Sequence, residues 1–302
     1  MNNFCNKKNM IEINKIGSEI SYALYHKIPS LVYPYLFINK IVRSKIELPM
    51  DANYRIIYYH SVSNKNKELF ENQIRYLNKN YTIVELDEII SSSKELNSDK
   101  KYLSITFDDG FLDNYTVAFP ILKKLSIPAT FFITPKLIEM SCRDKVDYKK
   151  YFKKHFNKIK IQKSMTWDQI RELNLNGYDI GCHGYTHKDI GKIGNDEEMQ
   201  KEITYTKSII ENELNKKVKY FAFPYGKKAN ISEEAVIEVI KSGYKACFSA
   251  DRGWNIGKKC IYYRDGIEPW FKPYILKSIL NGEIDHLTNI HYYNSINENI
   301  NC

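Results

Sequence analysis

Residues 102–110 read YLSITFDDG, a short apolar run that stops abruptly on two adjacent carboxylates and a glycine. A run this short, rich in β-branched and aromatic residues, is a buried strand rather than a helix, and Asp-Asp-Gly is turn chemistry that ends it. The same unit recurs on either side. RIIYY (55–59), YTIVEL (81–86), ATFFI (129–133), YDIGC (178–182), YFAF (220–223) and ACFS (246–249) read as further strands. Between them, apolar residues fall at helical spacing over 68–77, 115–125, 167–175, 196–214 and 233–242, and a last helix covers 273–280. Thr166 and Ser232 stand where helices need an N-cap, and Gly177 and Gly243 where they need a stop. Pro120 either kinks its helix or marks the true first turn. Strand and helix in alternation imply a parallel sheet covered by helices, closed as a barrel or open and doubly wound. Neither GxGxxG nor GxxxxGK[ST] occurs, so the open sheet lacks its nucleotide-binding signatures.

The chain has 302 residues, with 45 Lys+Arg against 36 Asp+Glu and a formal net charge of +9. Hydrophobic residues make up 43%, with 13 Gly and 9 Pro. That is enough apolar area for a full core and excludes collagen-like, Gly/Ser-rich and largely disordered chains. The six cysteines (5, 142, 182, 247, 260 and 302) are too sparse for a disulfide framework, and none forms a CxxC pair. The expected organisation is an N-terminal extension (1–50), a main α/β domain (51–285) with an insertion at 136–165, and a tail (286–302). No ordinary signal peptide is read. The early apolar run IPSLVYPYLFI (28–38) is interrupted by Pro29 and Pro34 and is shorter than the ~20 residues a spanning helix needs. It reads as a packing arm or a membrane-surface segment. The expected location is cytoplasmic or peripheral at the inner membrane face, with export left open.

From 149 to 163 there are seven lysines and no carboxylate. Tyr148, Tyr151, Phe152, His155, Phe156 and Ile159 fall at helical spacing, so the insertion is an amphipathic helix with a basic outer face. One reading is a lid or buttress with its lysines in solvent. The other is contact with anionic lipid headgroups or an acidic glycan through 145–163. No recognition-helix or finger motif supports nucleic acid.

In barrels and open parallel sheets alike, sites form at the C-terminal ends of strands. There the sequence places His60 after the first strand, Asp108 and Asp109 after the third, His183 and His187 after the fifth, and Pro224, Tyr225 and Gly226 after the sixth. Adjacent carboxylates diverge, so one can face a metal and the other a substrate. Two histidines four apart converge on one ion if the chain turns between them, and Gly181 and Gly184 permit the turn. Asp109, His183 and His187 then give three protein ligands and an open position, the coordination of a catalytic rather than a structural metal. Asp108 is left to take a proton. Two His and one Asp also suit a non-haem Fe(II) oxygenase, but those ligands sit on all-β folds with HxD spacing.

SITFDDGFLDNY (104–115), HGYTH (183–187) and FAFPYG (221–226) together resemble the polysaccharide deacetylase family, whose fold is the NodB-homology domain. The resemblance covers roughly residues 52–285 and implies an α/β fold, a deformed (β/α)7 barrel. It further implies a metal-dependent hydrolase that removes N-acetyl groups from an amino-sugar glycan or glycan precursor. By resemblance, Asp108 is the base, and Asp109, His183 and His187 hold one divalent metal ion, usually Zn2+ and in some members Co2+, Ni2+ or Fe2+. The Tyr225 backbone N–H joins in holding the oxyanion.

Three departures stand out. Gly184 replaces the Ser or Thr of more familiar members, no Arg precedes the Pro-Tyr motif, and the C-terminal Leu-x-His has only His286 and His291 as weak counterparts. The chain is more similar to the permuted branch that includes the poly-N-acetylglucosamine deacetylases, where the acid histidine follows the first strand. That assigns the acid to His60 and lets Arg264 orient Asp108. Trp254 either lines the acetyl pocket or packs in the core. Two other functions stay open: hydrolysis of a non-polymeric or O-acetyl substrate on the same scaffold, and glycan binding by a catalytically idle protein.

Overall fold

The computed structural model describes residues 54–91, 100–143, 145–156, 160–255, 258–283, 285 and 292–300. The N-terminal extension (1–50), His286 and His291 lie outside the described residues.

Nine strands among the described residues form one sheet. They are β1 Tyr54–Tyr59, β2 Thr82–Ile83, β3 Tyr102–Phe107, β4 Thr130–Ile133, β5 Asp179–Cys182, β6 Tyr220–Ala222, β7 Ala246–Phe248, β8 Ile261–Tyr262 and β9 Asp265–Gly266. Their order is β8-β7-β6-β5-β4-β3-β1-β9, with β2 branching from β3. Every one of these pairings is parallel. β8 and β9 end opposite edges of this path, yet only Tyr263 and Arg264 separate them in the chain. So short a link reaches about 10 Å, so the sheet must curl until its edges nearly meet. The expected α/β deformed barrel is present, and Arg264 sits at its seam.

Strands buried on both faces account for the near-continuous apolar runs. Alternate residues diverge: Ile56, Phe132, Tyr220, Ala222 and Phe248 pack in one cluster, whereas Ile57, Tyr59, Phe107, Phe131 and Phe221 join the larger core with the helices. Gly181 belongs to this packing, because a Cβ there would lie 2.4 Å from the Phe132 ring. It makes room inside β5 and does not shape the turn that follows.

Several expected helices keep their ends. Trp167–Leu175 starts at Thr166, whose hydroxyl accepts from Gln169 N–H (3.3 Å) while Gln169 Oε1 accepts from Thr166 N–H (2.9 Å), a capping box. Ser232 caps Glu233–Lys241. The 115–125 segment begins as a π turn, Asn114–Ala118, and runs on without a break into Phe119–Lys124, with Pro120 just past the junction. The expected strand 81–86 shrinks to Thr82–Ile83. Leu86 instead opens the helix Leu86–Ser91, whose Leu86, Ile89 and Ile90 pack into the Ile56–Phe132 cluster.

The basic insertion forms a helix, Lys145–His155. Phe152 and Phe156 pack with Phe111 and Leu137 in a small core of their own, and Lys149, Lys150, Lys153 and Lys154 are exposed. Cys142, Cys182 and Cys247 are free thiols and Cys260 is in a disulfide. Among the described residues no helix is long and apolar enough to cross a membrane.

Candidate active site

The turns after β3, β5 and β6 share a backbone feature. Five described non-glycine residues have positive φ, and three of them are Asp109 (+74°), His187 (+60°) and Tyr225 (+60°). Each costs about 1–3 kcal/mol unless its surroundings enforce it, and such strain collects at functional sites. Gly184 (φ +72°) begins the turn between the histidines, where a Cβ would lie 3.1 Å from Glu202 Oε2. Glu202 is buried and accepts from Thr186 N–H (2.9 Å) and from the Thr186 hydroxyl. A buried carboxylate thus holds the turn at the place where Gly184 leaves room for it.

The structure brings Asp109, His183 and His187 together, with their ligand atoms all within 4.8 Å of one another and all three residues buried. His183 Nδ1 lies 2.8 Å from Ala222 O, and His187 Nδ1 lies 3.1 Å from His155 O. A carbonyl only accepts, so both Nδ1 atoms carry the proton and each ring turns its Nε2 inward, where it can offer a lone pair. Those Nε2 atoms face Asp109 Oδ1 at 3.4 and 3.3 Å. Neither Asp109 oxygen has a hydrogen-bond partner, although both are buried. Three lone-pair donors facing one point are repulsive without a cation between them, so the donor set fits a divalent metal ion. The charge balance agrees. Burial alone would depress the His183 pKa, but Asp108 and Asp109 reverse this and raise it. Burial would likewise raise the Asp109 pKa, yet the two imidazoles hold it far below the usual carboxylate range.

Asp108 is buried beside this cluster, with its Oδ1 2.7 Å from one terminal nitrogen of Arg264 and its Oδ2 2.8 Å from the other. Arg264 is itself fixed by Ser249 O (2.9 Å) and Thr106 Oγ1 (3.1 Å), and it has no solvent exposure. Burial would raise the Asp108 pKa, but the guanidinium outweighs it and the carboxyl stays below its ordinary value. The folded pKa is therefore lower than the unfolded one (~3.9), so the pair stabilises the fold above that pH and the contribution fades as pH falls through the depressed value. Arg264→Met is expected to lower unfolding free energy by about 3–5 kcal/mol in urea, because it strands a buried carboxylate. The double variant Asp108→Asn/Arg264→Met should regain part of that loss, and equal losses in the two proteins would refute the pairing.

His60 is exposed at the end of β1. Its ring meets the Tyr58 ring edge-on at 5.3 Å, and Tyr58 in turn lies under the Arg264 guanidinium (4.8 Å). Asn114 Nδ2 donates to His60 O (2.8 Å), and Ser61 donates to Asp113, which ties the β1 end to the FLDN segment after Gly110. Tyr225 lies over the site edge, with its ring against His187 (4.8 Å) and its hydroxyl donating to His155 O (2.8 Å). Among the described residues its backbone N–H has no acceptor.

All seven sequence-predicted site residues thus lie at neighbouring strand ends or at the seam. Trp254 does not join them. It stacks on Arg55 (4.0 Å), near the start of β1 and away from the end that bears the site. Sequence reasoning missed Thr106, Glu202, Asn114 and the insertion's His155 and Phe156. Each acts through a side-chain hydroxyl or amide, a carbonyl, a turn or a ring face, and no motif spacing signals those. Phe156 stacks on the His187 ring at 4.2 Å.

Residues 95–246 match the sequence profile of the family described as polysaccharide deacetylase. YxkH of Bacillus subtilis (strain 168), named as a polysaccharide deacetylase, is 26% identical over 216 residues, or 69% of this chain and 68% of that protein. Among solved structures, the Streptococcus pyogenes deacetylase PplD in complex with acetate superposes with a TM-score of 0.61 at 22% identity, covering 75% of this chain and 97% of that one. The de-N-acetylase from Aggregatibacter actinomycetemcomitans gives 0.60 at 19%, covering 75% and 99%. At those identities the structures speak for the fold alone, and the profile, which spans half of the chain, speaks for descent. This chain belongs to the polysaccharide deacetylase family of hydrolases, which remove acetyl groups from glycans.

Proposed function

We propose that the chain is a metal-dependent N-deacetylase of an amino-sugar-containing glycan or glycan precursor, with Asp109, His183 and His187 as the protein ligands of one divalent ion. The observation that carries this reading is a carboxylate, Asp108, kept ionised by a two-pronged arginine immediately beside three inward-facing donor groups. Two imidazoles and one carboxylate suit zinc, and also cobalt, nickel or iron. When bound, the ion supplies Lewis acidity, polarising a carbonyl and making water more acidic.

The chain's own groups do the rest. Asp108 takes the proton of the attacking water, and Arg264 fixes which lone pair is presented. The Tyr225 N–H donates to the oxygen on which negative charge develops, an interaction strongest in the transition state. His60 protonates the leaving amine, so acetate and a free amino sugar result. His60→Gln is expected to lower turnover about 100-fold with metal content unchanged. Unaltered turnover would move the acid elsewhere, to His286 or His291.

The reading is tested by measuring acetate release from the zinc-loaded protein on N-acetylated amino-sugar oligomers and on O-acetylated sugars. Release from the N-acetyl substrates supports it. Release from the O-acetyl esters alone would make the protein an esterase of the same scaffold, and release from neither would make it a binder.

A further inference from the structure

The basic insertion lies outside the motifs that define the site, yet its last turn touches two of the site residues. A helix leaves its last carbonyls without intrahelical partners, and its C-terminus carries partial negative charge. Lys145–His155 ends on such a carbonyl. His155 O accepts from His187 Nδ1–H (3.1 Å) and from the Tyr225 hydroxyl (2.8 Å) at once. The next residue, Phe156, lies face to face with the His187 imidazole, with centroids 4.2 Å apart and planes 24° apart. Phe156 is buried and is held by Phe111 and Phe152.

His183 shows the contrast. Its Nδ1 is held by Ala222 O, which belongs to the sheet itself. The two imidazoles therefore draw their outer partners from different parts of the molecule, one from β6 and one from the insertion.

We infer that the end of the insertion is a positioning device for the metal site: His155 O fixes the tautomer of His187, and the Phe156 ring fixes its plane. Through the Tyr225 hydroxyl the same carbonyl ties the oxyanion-side turn to that ligand. The inference rests on His187 being a metal ligand. An outer-shell partner of this kind is worth about 10–100-fold in metal affinity.

The test compares full-length wild type with Phe156→Leu, Phe152→Leu and His187→Ala. Zinc affinity is measured by competition with a chromophoric chelator, and the cobalt-loaded proteins are compared by their visible d–d absorption. Phe152→Leu perturbs the same small core without touching His187. Phe156→Leu is expected to bind zinc at least about 10-fold more weakly and to shift the cobalt bands. Phe152→Leu should stay within about 3-fold of wild type with unshifted bands, and Phe156→Tyr, which keeps the ring face, should restore most of the affinity. Equal losses in Phe156→Leu and Phe152→Leu with unshifted bands would overturn the inference, leaving only packing. Unchanged affinity in Phe156→Leu alone would overturn it too. Unchanged affinity in His187→Ala would overturn the ligand assignment beneath it, which separates the two failures.

Discussion

Asp108→Asn is expected to reduce acetate release by about 10³-fold or more while zinc content stays at the wild-type level. The amide cannot accept the proton of water, and general-base contributions run to about 10²–10⁴. Among the described residues Asp108 makes no hydrogen bond or ion pair with the Nε2 atoms of His183 and His187, which point at Asp109, so the ion should remain. The substitution also alters the grip of Arg264, because an amide nitrogen then faces one guanidinium nitrogen that donated to Oδ2 at 2.8 Å. A modest loss of stability should accompany the catalytic loss, and Tm is measured beside activity to separate the two. Near-wild-type acetate release from a folded, zinc-loaded variant would remove Asp108 from the base role.

Asp109→Ser should have the second large effect, for a different reason. It deletes the carboxylate that both imidazoles face and leaves two buried rings with nothing between them. Zinc retention and turnover are expected to fall together, turnover by about 10³-fold, which corresponds to several kcal/mol of lost Lewis-acid stabilisation. Chelator treatment of wild type should reproduce the catalytic loss, and added zinc should reverse it in wild type but not in the variant. Full zinc content in Asp109→Ser would contradict the assignment.

Much of this site was legible because parallel α/β sheets put chemistry at strand ends, and strands buried on both faces are easy to read. TFDD at the end of β3 and HGYTH at the end of β5 therefore announced themselves. The segment 261–266 did not. Its two strands have two residues each and no periodicity to detect, so Arg264 could be matched to Asp108 through the family resemblance but not placed at the seam. YTIVEL misled because Leu86 carries strand-like neighbours but is drawn into a helix by the cluster it packs against. Gly181 looked like a hinge and proved to be space for Phe132, while the turn is made by Gly184 and by His187 itself at φ +60°. The insertion was legible as an amphipathic helix with a basic face. Its contribution to the site comes through a backbone carbonyl and a ring stack, contacts that depend on where the helix ends in space.

The most direct test of the account is a zinc-loaded crystal of the intact chain with anomalous data at the zinc edge. A single peak is predicted in contact with an Asp109 carboxylate oxygen and with His183 and His187 Nε2, each at about 2.0–2.2 Å, and with no fourth protein ligand. A peak elsewhere, or a closed shell of four protein ligands, would contradict it.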